Sequence, residues 1–149
     1  MYERILVPVD GSATSNQGLE EAIKLARLTG AKIKLLHVVD MWAFAATPYT
    51  GMALSPDILA QLKEGGQATL DVAKARVEAA GRSADAQLFD NLAGRVCDIV
   101  VDEAKKWKAD LIVIGTHGRR GVGRLVLGSD AEQIARTAPV PVLLVRGHE

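Results

Sequence analysis

Five short apolar runs, separated by four stretches of helical spacing, are what most restrict the folds open to this chain. The runs fall at residues 4–9, 32–39, 84–89, 111–114 and 140–145, each bounded by turn formers. The first, fourth and fifth are nearly continuous in Ile, Leu and Val, as expected of strands covered by helices on both faces. Between them, Leu19, Ala22, Ile23 and Ala26 recur at i, i+3, i+4, i+7 behind a candidate N-cap at Ser12. Ser55-Pro56-Asp57 announces a second helix with a cap residue, a first-turn proline and an early acid. It is expected to run to Ala80 and stop at Gly81, with Gly65-Gly66 weakening its middle by roughly 1 kcal/mol per glycine relative to alanine. A third helix over 93–107 puts Ala93, Val96, Cys97, Val100, Ala104 and Trp107 on one side, and a short fourth over 130–137 ends before Pro139.

This alternation predicts an open, doubly wound α/β sheet, and 149 residues suit one domain spanning 1–149. Right-handed crossovers carry every strand-to-helix loop to the same sheet edge, where ligands of such folds bind. Three loops there have unusual content. One is Pro8-Val9-Asp10-Gly11-Ser12; another, at 40–54, is long and apolar, with Trp42, Phe44 and Tyr49. The third, at 115–129, is far longer than the usual 2–6 residues for such a connection.

Charge narrows the functions. Eighteen basic and eighteen acidic side chains cancel, which argues against a general nucleic-acid binder. Residues 115–129, GTHGRRGVGRLVLGS, nevertheless hold three arginines, five glycines and no acid. A positive patch this local suits a small anion. Cys97 is the only cysteine, so an intrachain disulfide is ruled out and a cytoplasmic setting fits. The N-terminus does not read as a signal peptide, and no apolar run approaches the ~18 residues that span a bilayer. Direct membrane insertion is therefore not expected.

Glycines let backbone N–H groups turn toward an anion, and a helix N-terminus adds unpaired donors and a positive dipole end. Gly128-Ser129 stands just before the fourth helix, and Arg119, Arg120 and Arg124 are available as charge-assisted donors to phosphate. Two familiar phosphate loops do not match. Gly121 and Gly123 begin a dinucleotide fingerprint, but valine stands at 126. Gly123 and Gly128 have P-loop spacing, but Ser129 replaces the lysine. The pattern present is G-x2-G-x9-G-S at Gly115, Gly118, Gly128 and Ser129.

On these residues, together with ILVPVDGS, LLHVVD and the final third of the chain, the sequence resembles the universal stress protein family, in its ATP-binding type. The resemblance implies a Rossmann-like, adenine nucleotide α-hydrolase-like fold: five parallel strands in order 3-2-1-4-5, with helices on both faces. It implies ATP, or AMP or ADP, bound across the ends of strands one, two and four. Pro8, Val9 and Val38 would line the adenine pocket. Asp10 would sit near the ribose or a phosphate-bound Mg2+ or Mn2+ ion. Gly115, Thr116, His117 and Gly118 would pass beside the ribose and first phosphate. Gly128 and Ser129 would hold the outer phosphates, with Arg119 and Arg120 nearby. In the implied order PVPVLLVR is an exposed edge, too apolar to stay bare, so a homodimer pairing this strand with its copy is expected.

Plainer readings stand beside these. Asp10 is also ordinary turn chemistry, and the arginines also suit a solvated loop. His117 reads as a nucleotide contact or a water-exposed histidine, His37 as a hydrogen-bonded core histidine and Cys97 as an inert core thiol. The loop around Trp42 reads equally as a lid or as packing on a neighbour. Glu103 and Glu132 read as solvated helix charges.

With no P-loop lysine, paired carboxylates or base near the loop, no catalytic residue is assigned. The leading expectation is a nucleotide-binding regulator in the stress response, read by an unidentified partner protein, with at most slow ATP hydrolysis. An enzyme acting at the α-phosphate is the alternative, but DGSATS lacks the motifs such relatives share. A phosphoacceptor receiver domain is weaker still: Asp10 is single, Asp90 only roughly placed, and Arg146 stands where a lysine belongs.

Overall fold

In a computed structural model, residues 1–41, 56–90, 94–117 and 127–147 are described. The elements are β1 (Arg4–Pro8), α1 (Ala13–Thr29), β2 (Lys32–Val38), α2 (Pro56–Ala79), β3 (Ala84–Phe89), α3 (Val96–Trp107), β4 (Leu111–Gly115), α4 (Ser129–Thr137) and β5 (Val142–Val145). All strand pairs are parallel and the sheet order is β3-β2-β1-β4-β5. The expected doubly wound α/β sheet is the one observed.

Period-two alternation on β1 divides the core. Ile5 and Val7 face α1 and α2 with Ile33, Leu35, Leu70, Val77 and Val113, whereas Leu6 faces α3 and α4 with Leu36, Val100, Ile112 and Ile134. Ile5, Leu6 and Val7 are wholly buried. Each such side chain contributes about 1.5–3 kcal/mol relative to an exposed one.

The helices begin and end where local chemistry dictates. Ser12 caps α1, its Oγ accepting from the Ser15 N–H at 3.2 Å, and Gly30 ends it at φ 80°, its N–H donating to Ala26 O. The α1 side chains expected to be buried, Leu19, Ala22, Ile23 and Ala26, are buried.

Three expectations need correction. The last strand starts at Val142 rather than 140, since Pro141 has no N–H to give the ladder, although its carbonyl accepts from Ile112. The third helix starts at Val96, after Arg95, not at 93; Ala93 lies outside the described residues. Glu103 is not solvated. It is buried on α3 and ion-paired with Lys34 of β2. Glu132 stays at the surface, paired with Arg136 at 2.8 Å.

Backbone contact between α1 and β4 fixes the geometry of the sheet's carboxyl edge. A Cβ on Gly115 would lie 2.6 Å from both the carbonyl carbon and oxygen of Thr14, and one on Gly18 would lie 3.2 Å from Gly115 N. Only glycine fits at 115, and its absent side chain lets the start of α1 sit directly on the end of β4.

Candidate functional site

Asp10 leaves β1 in a closed turn. Its Oδ1 accepts from the Ser12 N–H at 2.8 Å, and its own N–H donates to Ser15 Oγ at 3.1 Å. The carboxylate is thus oriented by the same residues that start α1. Val9, just before it, is 5% exposed, with its N–H donating to Leu36 O and its carbonyl 2.8 Å from His37 Nδ1. His37 is the hydrogen-bonded core histidine the sequence suggests, packed on Gly66 of α2.

The structure does not bring the three apolar candidates onto one face. Val9 packs in the α1/α2 half of the core, whereas Val38, half-buried at the end of β2, packs toward α3 and α4. Pro8 is half-buried at the last position of β1, in register with Leu36.

Gly115, Thr116 and His117 follow one another off the end of β4, and Thr116 is tied on both sides. Its N–H donates to Val145 O of β5 at 2.9 Å, and its carbonyl accepts from the Gly128 N–H at 2.8 Å. The second bond brings the start of α4 back to the end of β4. Thr14 Oγ1 donates to the His117 carbonyl, Thr116 Oγ1 lies 2.9 Å from His117 Nδ1, and His117 Nε2 is buried with no partner among the described residues. Gly118, Arg119, Arg120 and Arg124 lie outside the described residues, as does the 42–55 part of the aromatic loop.

Gly128 is the N-cap of α4 at φ −58°, ψ 146°, and, being glycine, makes no side-chain cap bond. An α-helix leaves its first N–H groups without intrahelical acceptors, so Ser129 opens a donor-rich turn. Asp130 and Glu132 in that turn work against an anion, although Glu132 is drawn toward Arg136.

Among the described residues no group of three His, Cys, Asp or Glu side chains could hold a metal ion. Asp10 offers one carboxylate, so a divalent cation there would need phosphate oxygens and water for its other ligands. Cys97, near the start of α3, is 4% exposed; burial pushes its thiol pKa up, and Asp98 and Asp130 add to this. It has no thiolate character for chemistry at neutral pH. Asp90, at the end of β3, pairs with Lys63 at 2.5 Å, and that contact lowers its pKa.

Thr14, Ser15 and Gly18 escaped the sequence reading. Their signal is a set of small residues at helical spacing on the α1 face that meets Gly115.

The fold defines a class: a parallel α/β protein of the Rossmann-like, adenine nucleotide α-hydrolase-like type, with its loops gathered at the carboxyl edge. The model of the Universal stress protein family matches residues 1–146, and the chain belongs to that family. The universal stress protein MJ0531 of Methanocaldococcus jannaschii is 36% identical over 147 residues, covering 98% of this chain and 83% of that one. A crystal structure of a universal stress protein family member from Burkholderia pseudomallei is 33% identical, covers 97% of this chain and 96% of its own, and superposes with a TM-score of 0.75. A universal stress protein in complex with cAMP is 26% identical, with 99% of both chains covered and a TM-score of 0.70. One from Archaeoglobus fulgidus in complex with dAMP is 25% identical, covering 97% and 98%, with a TM-score of 0.67. Among the described residues no helix is long and apolar enough to cross a membrane.

Proposed function

We propose that this chain binds an adenine nucleotide, ATP foremost, between the ends of β1, β2 and β4 and the start of α4. It acts there as a cytoplasmic regulatory module of the stress response, and its nucleotide state is read by a partner protein. The observation that carries the reading is the bond from Gly128 N–H to Thr116 O. It holds a helix start whose N-cap is glycine against the end of β4, where Gly115 lets α1 sit close. Backbone amides at such a junction suit phosphate oxygens. The neighbours with cAMP and dAMP support the same chemistry. dAMP lacks a 2′-hydroxyl and cAMP has its 3′-oxygen esterified, so adenine and one phosphate are what the two ligands share.

The residues present fit such a ligand. His117 Nε2 is a buried polar atom without a partner among the described residues, and Gly128 at the start of α4 carries no side chain between its main chain and a ligand. Pro8, the main chain at Val9, and Val38 would border the base. Thr116, His117 and Gly118 would face the ribose and first phosphate, and Gly128, Ser129, Arg119 and Arg120 the outer phosphates. Asp10 would meet a Mg2+ or Mn2+ ion carried by the phosphates, which would supply charge neutralisation there. The reading assigns no general base, and hydrolysis is slow at most. The same reading includes a homodimer through β5.

Mass spectrometry of the ligand released from freshly purified protein, with calorimetric titration, tests this. ATP or AMP is expected at about one per chain, and Gly118→Val and Gly128→Val should abolish capture with an unchanged circular dichroism spectrum. Gly128 has a φ that any residue adopts, so its variant should fold. A nucleotide-free preparation without ATP affinity in millimolar Mg2+ would defeat the proposal.

A further inference from the structure

His117 offers a polar atom that the described part of the fold does not use. Its Nε2 is buried without a partner among the described residues, while Nδ1 lies 2.9 Å from Thr116 Oγ1. Two proton arrangements suit that contact. If Nδ1–H donates to the hydroxyl, the threonine proton and the Nε2 lone pair are both left unmatched. If the hydroxyl donates to Nδ1, the ring proton sits on Nε2 and a single donor is unmatched. Thr116 is 6% exposed, so unmatched groups are costly there and the second arrangement is favoured.

The main chain around the ring is fastened at three points. Thr14 Oγ1 donates to the His117 carbonyl, Thr116 N–H donates to Val145 O, and Thr116 O accepts from Gly128 N–H. With its main chain held, the ring is oriented by its one contact among the described residues, Nδ1 with Thr116 Oγ1, which any swing about the side-chain bonds would break. An N–H fixed in this way, beside the start of α4, is a preformed donor for an acceptor brought by a ligand.

We propose that Thr116 is a positioning residue that fixes the Nε2–H tautomer of His117, and that this N–H donates to an α-phosphate oxygen of the bound nucleotide. The inference rests on the adenine nucleotide reading above and adds to it a phosphate-selecting side chain. A charged phosphate oxygen accepts a stronger hydrogen bond than a ribose hydroxyl, and the neighbouring helix start favours the same group. No proton is transferred.

Nitrogen NMR of 15N-labelled histidine, assigned with His117→Gln, reads the tautomer directly. Titrations with AMP and adenosine on the parent, Thr116→Val and Thr116→Ser read its consequence. Nε2 should carry the proton in the ligand-free protein, and its signal should move with AMP but not with adenosine. Thr116→Val should bind AMP about tenfold more weakly, a loss of ~1.4 kcal/mol, with a distinctly smaller loss for adenosine and Thr116→Ser restoring AMP binding. A proton on Nδ1, equal AMP affinity in Thr116→Val, or equal losses for AMP and adenosine would each overturn the proposal. A parent protein that binds neither AMP nor ATP removes the nucleotide reading and this inference with it. Intact binding by both parent and Thr116→Val removes this inference alone.

Discussion

Lys34 on β2 and Glu103 on α3 form an ion pair within the fold, their side chains only 13% and 7% exposed, and the Trp107 ring lies 6.0 Å from the ammonium. Removing one partner strands a charge in poorly solvated surroundings. Glu103→Ala should therefore cost about 3–5 kcal/mol, whereas Lys34→Met combined with Glu103→Leu should stay close to the parent. Urea denaturation of the three proteins checks this, and a single variant costing under ~1 kcal/mol would show the pair to be effectively solvated.

Adjacent glycines in α2 should respond with opposite signs. A Cβ on Gly65 meets nothing within 4 Å, so Gly65→Ala should stabilise by about 0.5–1 kcal/mol through helix propensity. A Cβ on Gly66 would lie 2.6 Å from His37 Cδ2 and 2.9 Å from Leu88 Cδ1, and the His37 ring is held by the Val9 carbonyl. Gly66→Ala should destabilise by about 1–3 kcal/mol. Thermal melts of both variants decide the matter; matching shifts would contradict it.

Cys97 gives a pH dependence of definite sign. Burial keeps its thiol protonated in the folded chain at pH values where the unfolded chain's thiol ionises. The unfolded state then binds fewer protons, so stability falls as pH rises through and beyond the ordinary thiol range, and is unaffected below it. Compared with Cys97→Ala, the parent should lose urea stability more steeply above about pH 8.5. Parallel slopes from pH 7 to 10.5 would count against this account.

At the β5 edge, Leu144 is 37% exposed. If β5 pairs with its copy, Leu144→Asp should convert a dimer to a monomer at micromolar concentration, read by light scattering, without loss of secondary structure. A parent already monomeric at that concentration would rule out the pairing.

Much of this fold was legible because period and punctuation agree. Ser12, Gly30, Pro56 and Gly81 bracket the helices, and the strands differ from the expected runs by at most two residues at either end. Val9 shows why such ends blur: it lies past β1, yet its N–H still donates to Leu36 O. Glu103 was misread because a charge on a helix is normally hydrated, and nothing local to α3 names its partner. The available sign was Lys34, a lysine inside a strand otherwise bound for the core. In the candidate site, Asp10, Gly115 and Gly128 could be picked out by pattern. Thr14 and Ser15 could not, because their roles arise only where α1 crosses the end of β4, a contact between residues 14 and 115. Arg119 and Arg120 lie outside the described residues.

Thr116 uses both polar atoms of its main chain, one on Val145 and one on Gly128. Force applied at the rim of the sheet is thereby passed through a single amino acid to the root of the last helix. The end of β4, the start of α4 and the end of β5 are braced together, and loosening either anchor would slacken the other.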